Sequence, residues 1–165
     1  MIIGSTAPFS QSSVLVGAAR GIIEDFITFH QDQQPEGEDR PVGGEHLQIL
    51  VGTCWSEIDA AWQLIQSDVN ITEACLKRDK SIPRHVAIRN RAHNTLTTKL
   101  ILSALDRLYG ASGSSILSEK SPSGRLYQDV KAGTQHVAVN QTSGARDAGF
   151  MLLNPDMPWS YPLPS

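Results

Sequence analysis

Apolar residues recur every three or four positions along three long stretches of the chain, which is the spacing that places them on one face of an α-helix. This pattern predicts a first helix that begins after Ser12 or Ser13 and ends near Gln31. Its predicted buried stripe consists of Val14, Leu15, Ala18, Ala19, Ile22, Ile23, Phe26 and Phe29. A second helix is predicted over 45–68, with Trp55 and Trp62 in the core, and a short helical piece over 71–80.

The pattern continues in a third helix, predicted over 83–109. Pro83 suits its first turn, because backbone N–H groups there make no hydrogen bond within the helix. Its stripe ends at Gly110, and the Gly- and Ser-rich stretch that follows cannot continue the helix. A last helix is predicted through KAGTQHVAVN, with one face formed by Gly133, His136, Val137 and Asn140. The sequence therefore predicts an all-α fold, an up-and-down antiparallel four-helix bundle.

Composition narrows the classes of partner. The 165 residues are 40% apolar and 19% charged, and a net charge of -3 gives no attraction to nucleic acid or to an anionic membrane. No stretch of eighteen apolar residues is present, so we expect a cytoplasmic protein without membrane contact.

Cys54 and Cys75 lack Cys-x-x-Cys spacing, so we expect reduced, buried thiols and no metal. We expect one domain over 1–165, with an acidic loop at 32–45 and an extended Pro-rich tail at 154–165.

Two groups of residues could carry chemistry. The third predicted helix opens with a basic run, for which a solvated charged face is the simplest interpretation; the run consists of Arg84, His85, Arg89, Arg91 and His93. His136 is an isolated histidine among small and apolar neighbours, and spacing alone favours a core histidine, bonded to a carbonyl or amide, over an active-site group. Ser114 and Ser115 lie in no nucleophile elbow and suit capping or hydrogen bonding.

Three segments together resemble a known family: GAARGIIEDF, ALDRLYGASGSSIL and SPSGRLYQDVKAGTQHVAVN. In their order and spacing they resemble the C-terminal domain of the acyl-CoA dehydrogenase superfamily, in the branch of flavin-dependent two-component aromatic monooxygenases. One departure is that Gln128-Asp129 stands where this branch usually has Arg-Asp, which removes a fixed cation from that position.

The resemblance implies a reaction and roles for particular residues. It implies hydroxylation of a phenolic or other aromatic compound with O2 and reduced flavin, FMN or FAD, supplied by a separate flavin reductase. His136 would take the phenol proton or stabilise a flavin hydroperoxide. Asn140 would contact the substrate, and Arg89 or Arg91 would hold the flavin phosphates. The family places a helical domain and a β-domain before the bundle, so flavin binding is expected only where those are present, and the isolated chain is expected to be inactive.

The resemblance also implies a homo-oligomer, a dimer or tetramer assembled through the bundle. Two alternatives stay open at this point. The first is a stand-alone, non-enzymatic bundle that serves oligomerisation or binding. The second is an acyl-CoA dehydrogenase bundle, which is disfavoured because the catalytic glutamate of those enzymes has no evident counterpart near the end of the chain.

Overall fold

Three long helices form the centre of the molecule in the computed structural model. The model describes residues 3–35, 41–112, 121–136 and 139–157, with side chains from Phe9 onward. The helices are α1 (Ile3–Asp32), α2 (Glu45–Asp79), α3 (Arg84–Ala111), α4 (Pro122–Gly133) and α5 (Gln141–Leu153). These described ranges contain no strand, so the predicted all-α fold is confirmed. No helix within them is long and apolar enough to cross a membrane.

Long helices that are consecutive in the chain run antiparallel. Arg20 of α1 pairs with Asp59 of α2 at 3.3 Å, and the Cys54 thiol of α2 donates to the Ala104 carbonyl of α3 at 3.5 Å. Burial raises the pKa of the Cys54 thiol. The core combines apolar side chains from all three helices with a few from the last third of the chain: Val16, Ala19, Ile22, Phe26, Ile58, Ala61, Ile101, Leu105, Leu108, Val130 and Val139. Of the stripe predicted for the third helix, Ile101, Ala104, Leu105 and Leu108 are buried, and Leu100 is half-buried.

The fourth helix of the predicted bundle is broken into α4 and α5. α4 packs against α1 and α5 packs against α3, and both run antiparallel to α3. Tyr127 of α4 donates to Asp106 near the C-terminal end of α3, whereas Asp147 of α5 pairs with Arg91 near the N-terminal end of α3. The prediction of one helix through 133–140 is wrong. The amide oxygen of Asn140 accepts two backbone N–H groups at the start of α5, a contact that favours a new helix start over a continued helix.

Helix boundaries and some buried positions also differ from the predictions. α1 already includes Ile3, so Ser12 lies inside the helix and does not cap it. The Ser12 hydroxyl instead donates to Asn94 of α3 across the bundle. α2 continues without a break to Asp79. Val14 and Trp55 are 69% and 54% exposed, so their predicted core positions are wrong. Trp62 is half-buried beneath the Arg20 guanidinium, whose carbon lies 5.1 Å from the ring centre.

Several predicted features lie outside the described residues. These are Ser114, Ser115 and Val137, together with parts of the loop at 32–45 and of the tail at 154–165. Of the two cysteines, Cys54 is buried as expected, whereas Cys75 is only partly buried; both are free thiols.

Gly144 allows a close approach of α5 to α3. A Cβ at this position would lie 2.1 Å from Thr95 Oγ1 and 3.5 Å from the Arg91 carbonyl oxygen. A methyl group there would displace the Thr95 hydroxyl and disturb the packing of α5 on α3, so we expect Gly144→Ala to lower the free energy of unfolding by about 1–3 kcal/mol. Gly149 lies in the same helix with no atom near its would-be Cβ. Gly149→Ala is expected to raise that free energy by about 0.5–1 kcal/mol through helix propensity.

Urea unfolding followed by circular dichroism measures both changes. Equal effects of the two alanines would contradict the close packing of α5 on α3.

Candidate functional site: the turn between α4 and α5

The chain between α4 and α5 presents His136 on a hydrogen-bonded turn. The His136 N–H donates to the Gly133 carbonyl at 3.1 Å, and the His136 carbonyl accepts from the N–H groups of Val139 and Asn140 at 3.0 and 2.9 Å. The His136 side chain is exposed, not buried in a helix face as predicted. Its backbone is therefore fixed while its imidazole can meet a ligand or another protein segment.

Side chains on either side fix this turn to the bundle. Val139 is 1% exposed and lies in the hydrophobic core, and its carbonyl oxygen accepts from Thr98 Oγ1 of α3 at 3.0 Å. Thr134 is 2% exposed, and its hydroxyl donates to the Lys131 carbonyl in the last turn of α4. Both flanks of the His136 turn are thus anchored in buried structure.

Asn140 is the N-cap of α5. Its Oδ1 atom accepts from the Thr142 and Ser143 N–H groups at 3.0 and 3.2 Å, the arrangement that satisfies otherwise unpaired donors at a helix start. The structure places Asn140 four residues after His136, at the opposite end of the same turn. Substrate contact by Asn140 stays a prediction, and the cap is a sufficient structural role for this residue.

Arg91 is a buried arginine, 2% exposed, and its guanidinium pairs with the carboxylate of Asp147 on α5. Asp147 is itself 1% exposed and also accepts from Arg146 at 3.1 Å. The interpretation of the basic run as a solvated face is therefore wrong for Arg91. A charge that is removed from water needs a partner of opposite sign, and Asp147 supplies it from 56 positions away along the chain.

Arg89 points to the other side of α3, toward α2. Its Nε lies 2.9 Å from Asp68 Oδ1, and its Nη2 donates to Ser67 Oγ at 2.7 Å. The same buried Asp68 carboxylate lies 2.9 Å from Nδ1 of His93. The structure therefore does not bring Arg89 and Arg91 into one site, since each cation meets a carboxylate on a different helix. Cofactor binding by either arginine stays a prediction.

Arg84 has a role that the sequence did not reveal. Its guanidinium donates to the carbonyl oxygens of Met151, Asn154 and Met157 at 3.1, 2.8 and 2.6 Å. A cation at the C-terminal carbonyls of a helix satisfies acceptors and complements the helix dipole. The sequence shows that a cation lies at the start of α3. No pattern in the neighbouring residues indicates that the end of α5 lies beside it.

Two further features bear on the chemistry of the site. Gln128 and Asp129, which stand where the resembling branch has Arg-Asp, are both exposed on α4. Within the described ranges, no group of three or more His, Cys, Asp or Glu residues is arranged to hold a metal ion.

Comparison with known proteins places the chain in a family. The family model described as "Acyl-CoA dehydrogenase, C-terminal domain" matches residues 9–141. The chain belongs to this family. The family that was predicted from the three sequence segments is therefore confirmed.

The domain has relatives among flavin-dependent monooxygenases. It is 28% identical over 138 residues to the flavin-dependent monooxygenase oxygenase subunit HsaA of Mycobacterium tuberculosis H37Rv, covering 82% of this chain and 35% of the relative. The corresponding subunit of Rhodococcus jostii RHA1 is 25% identical, with 82% and 36% covered. The chain therefore spans about a third of the length of these relatives.

Solved structures show the same fold. The HsaA monooxygenase of M. tuberculosis superimposes with a TM-score of 0.78 at 27% identity, covering 92% of this chain and 40% of that one. The 3-HSA hydroxylase of Rhodococcus sp. RHA1 gives 0.83 at 22% identity, with 95% and 40% covered. XiaF from Streptomyces sp., in complex with FADH2 and glycerol, gives 0.82 at 18% identity, with 98% and 40% covered.

We expect Arg91→Met to lower the free energy of unfolding by about 3–5 kcal/mol, because it leaves the buried Asp147 carboxylate without its main partner. The double variant Arg91→Met/Asp147→Leu should recover most of this loss, since it removes both charges. Arg125→Met, at an exposed position on α4, is the control and should change stability by less than about 0.5 kcal/mol. Denaturant unfolding measures all three, and a small loss for Arg91→Met alone would refute the structural role of the pair.

Proposed function

We propose that this domain is the C-terminal part of a flavin-dependent monooxygenase that hydroxylates a phenolic or other aromatic compound. The observation that carries the proposal is the exposed His136 imidazole on a turn that is anchored to the bundle on both sides. An active-site side chain on a loop held by a rigid scaffold is a common arrangement in enzymes. The HsaA relatives, which are flavin-dependent monooxygenases by name, support the class of reaction.

Reduced flavin would be the cofactor, and when bound it activates O2 and supplies the oxygen atom. The chain spans about a third of its relatives, so we propose that most flavin contacts come from segments outside it. The arginines suit this group poorly as phosphate ligands, because Asp147 engages the buried Arg91 and Asp68 engages Arg89. The exposed turn at His136 is the better candidate for the face toward the cofactor and substrate. FAD is supported over FMN by the FADH2 complex of XiaF, which shares the fold.

His136 would act as the general base. A neutral imidazole accepts the phenolic proton, which leaves the ring more electron-rich and better able to attack an electrophilic oxygen. The anchored backbone of the turn would fix the position from which the imidazole extends, so less of the chain has to be ordered when the substrate binds. Asn140, at the end of the same turn, is proposed to contact the substrate in addition to capping α5.

The partners follow from the same proposal. A separate flavin reductase would supply the reduced flavin, as the designation "oxygenase subunit" of the relatives suggests. We also propose a cytoplasmic location and a dimer or tetramer. Val14, Ile49 and Trp55 are exposed apolar side chains on α1 and α2 that an interface between copies would cover. The same side chains favour a second candidate function, a non-enzymatic bundle that serves only oligomerisation or binding.

A chimera tests the proposal. The chain replaces the aligned segment of HsaA from M. tuberculosis, and hydroxylation is measured with O2, reduced flavin and a phenolic substrate; flavin binding by the chimera verifies that it has folded. We expect product formation, and His136→Ala should lower kcat by about 10²- to 10⁴-fold, the usual contribution of a general base. His85 is also an exposed histidine but lies on α3, away from the turn. His85→Ala is therefore the matched control and should retain the parent rate.

Two results would count against the proposal. A chimera that binds flavin and yields no product would favour the assembly function. Full activity of the His136→Ala chimera would remove His136 from the mechanism.

A further inference from the structure

The hydroxyl of Thr98 connects α3 to the His136 turn. Thr98 is fully buried, at 0% exposure, and its Oγ1 lies 3.0 Å from two carbonyl oxygens, those of Asn94 and Val139. Asn94 is one turn earlier in the same helix, whereas Val139 is 41 positions away in the turn. The hydroxyl carries one proton, which these two carbonyl oxygens share, and only the bond to Val139 ties two separate parts of the chain together.

A short chain of hydrogen bonds leads from Thr98 to His136. Thr98 Oγ1 donates to the Val139 carbonyl, and the Val139 N–H donates to the His136 carbonyl at 3.0 Å. Val139 cannot move toward solvent without removing its side chain from the core, where it is 1% exposed. Loss of the Thr98 hydroxyl would leave a buried carbonyl unpaired at this point, which favours local opening of the turn.

We propose that Thr98 is a positioning residue for His136 and acts through the Val139 peptide group. This inference rests on the proposed function of His136 as the general base. Thr98 does not itself contact substrate or flavin; it restricts the turn that presents the imidazole. The hydroxyl is needed for this role, and the methyl group of the side chain is not.

The neighbouring Thr97 provides a matched control. Thr97 is 1% exposed, and its hydroxyl has no hydrogen-bond partner within the described part of the chain. Thr97→Val and Thr98→Val therefore remove the same atoms from adjacent buried positions, but only the second removes a bond to the turn. Thr98→Ser keeps the hydroxyl and should restore the behaviour of the parent protein.

The first experiment measures amide hydrogen exchange in the 165-residue chain. We expect Thr98→Val to raise the exchange rates of the His136, Val139 and Asn140 amides about tenfold, the effect of one lost hydrogen bond. Thr98→Ser and Thr97→Val should leave these rates near those of the parent. Unchanged turn amides in Thr98→Val, or an equal increase throughout α1–α3, would overturn the inference.

The second experiment is a double-mutant cycle in the HsaA chimera. If Thr98 acts through His136, Thr98→Val lowers kcat in the parent, Thr98→Ser rescues it, and Thr98→Val has no further effect in the His136→Ala background. Additive losses would overturn the positioning role while the proposed function stands. An unaffected kcat in His136→Ala alone would instead contradict the proposed function, and the exchange rates would still report whether Thr98 holds the turn.

Discussion

A row of buried polar side chains on α3 determines how the other elements are placed. Each of four residues on this helix has a partner on a different part of the chain: Asn90 with Thr72 of α2, Arg91 with Asp147 of α5, Asn94 with Ser12 of α1, and Thr98 with the Val139 carbonyl. A buried polar group without a partner costs about 1–3 kcal/mol, so a shift of any neighbour along α3 would be penalised at several points. Apolar packing alone tolerates such shifts far better.

The broken fourth helix follows from this arrangement. α4 is held on α1 and on the end of α3, where Tyr127 donates to Asp106 and stacks on Tyr109. α5 is held on α3 by Arg91 and by the close contact at Gly144. The turn with His136 connects α4, which is held on α1, to α5, which is held on α3. The candidate site and the packing therefore meet at one place, because the interruption that fits two short helices to the bundle also brings a histidine to the surface.

The sequence predicts the all-α fold and most of the core, because apolar spacing reports directly on the buried face of a helix. It fails where a polar residue belongs to that face. In α1 the buried face includes Ser12 and Val16, so the true stripe is rotated away from Val14. Only the contact with Asn94, 82 positions away, shows that Ser12 can be buried there.

The resemblance selects residues for the candidate site, but the sequence does not give their geometry. His136 and Asn140 could be selected from the resemblance, yet their helical spacing suggested one continuous face. The side chain of Asn140 suits either a helix interior facing a ligand or a helix start, and spacing alone does not choose between them. Likewise, Arg91 lies in a basic run that is typical of a solvated surface, and its burial depends on Asp147, which no local pattern connects to it.

The most direct test of this account is the backbone chemical shifts of residues 130–145, measured by NMR on the 165-residue chain. The structure predicts helical ¹³Cα shifts up to Gly133, their loss by His136 and Asn140, and their return from Gln141 onward. Helical shifts that continue unbroken from Pro122 to Leu153 would contradict the account, because His136 would then lie within a helix and not on the turn that Thr98 and Val139 anchor.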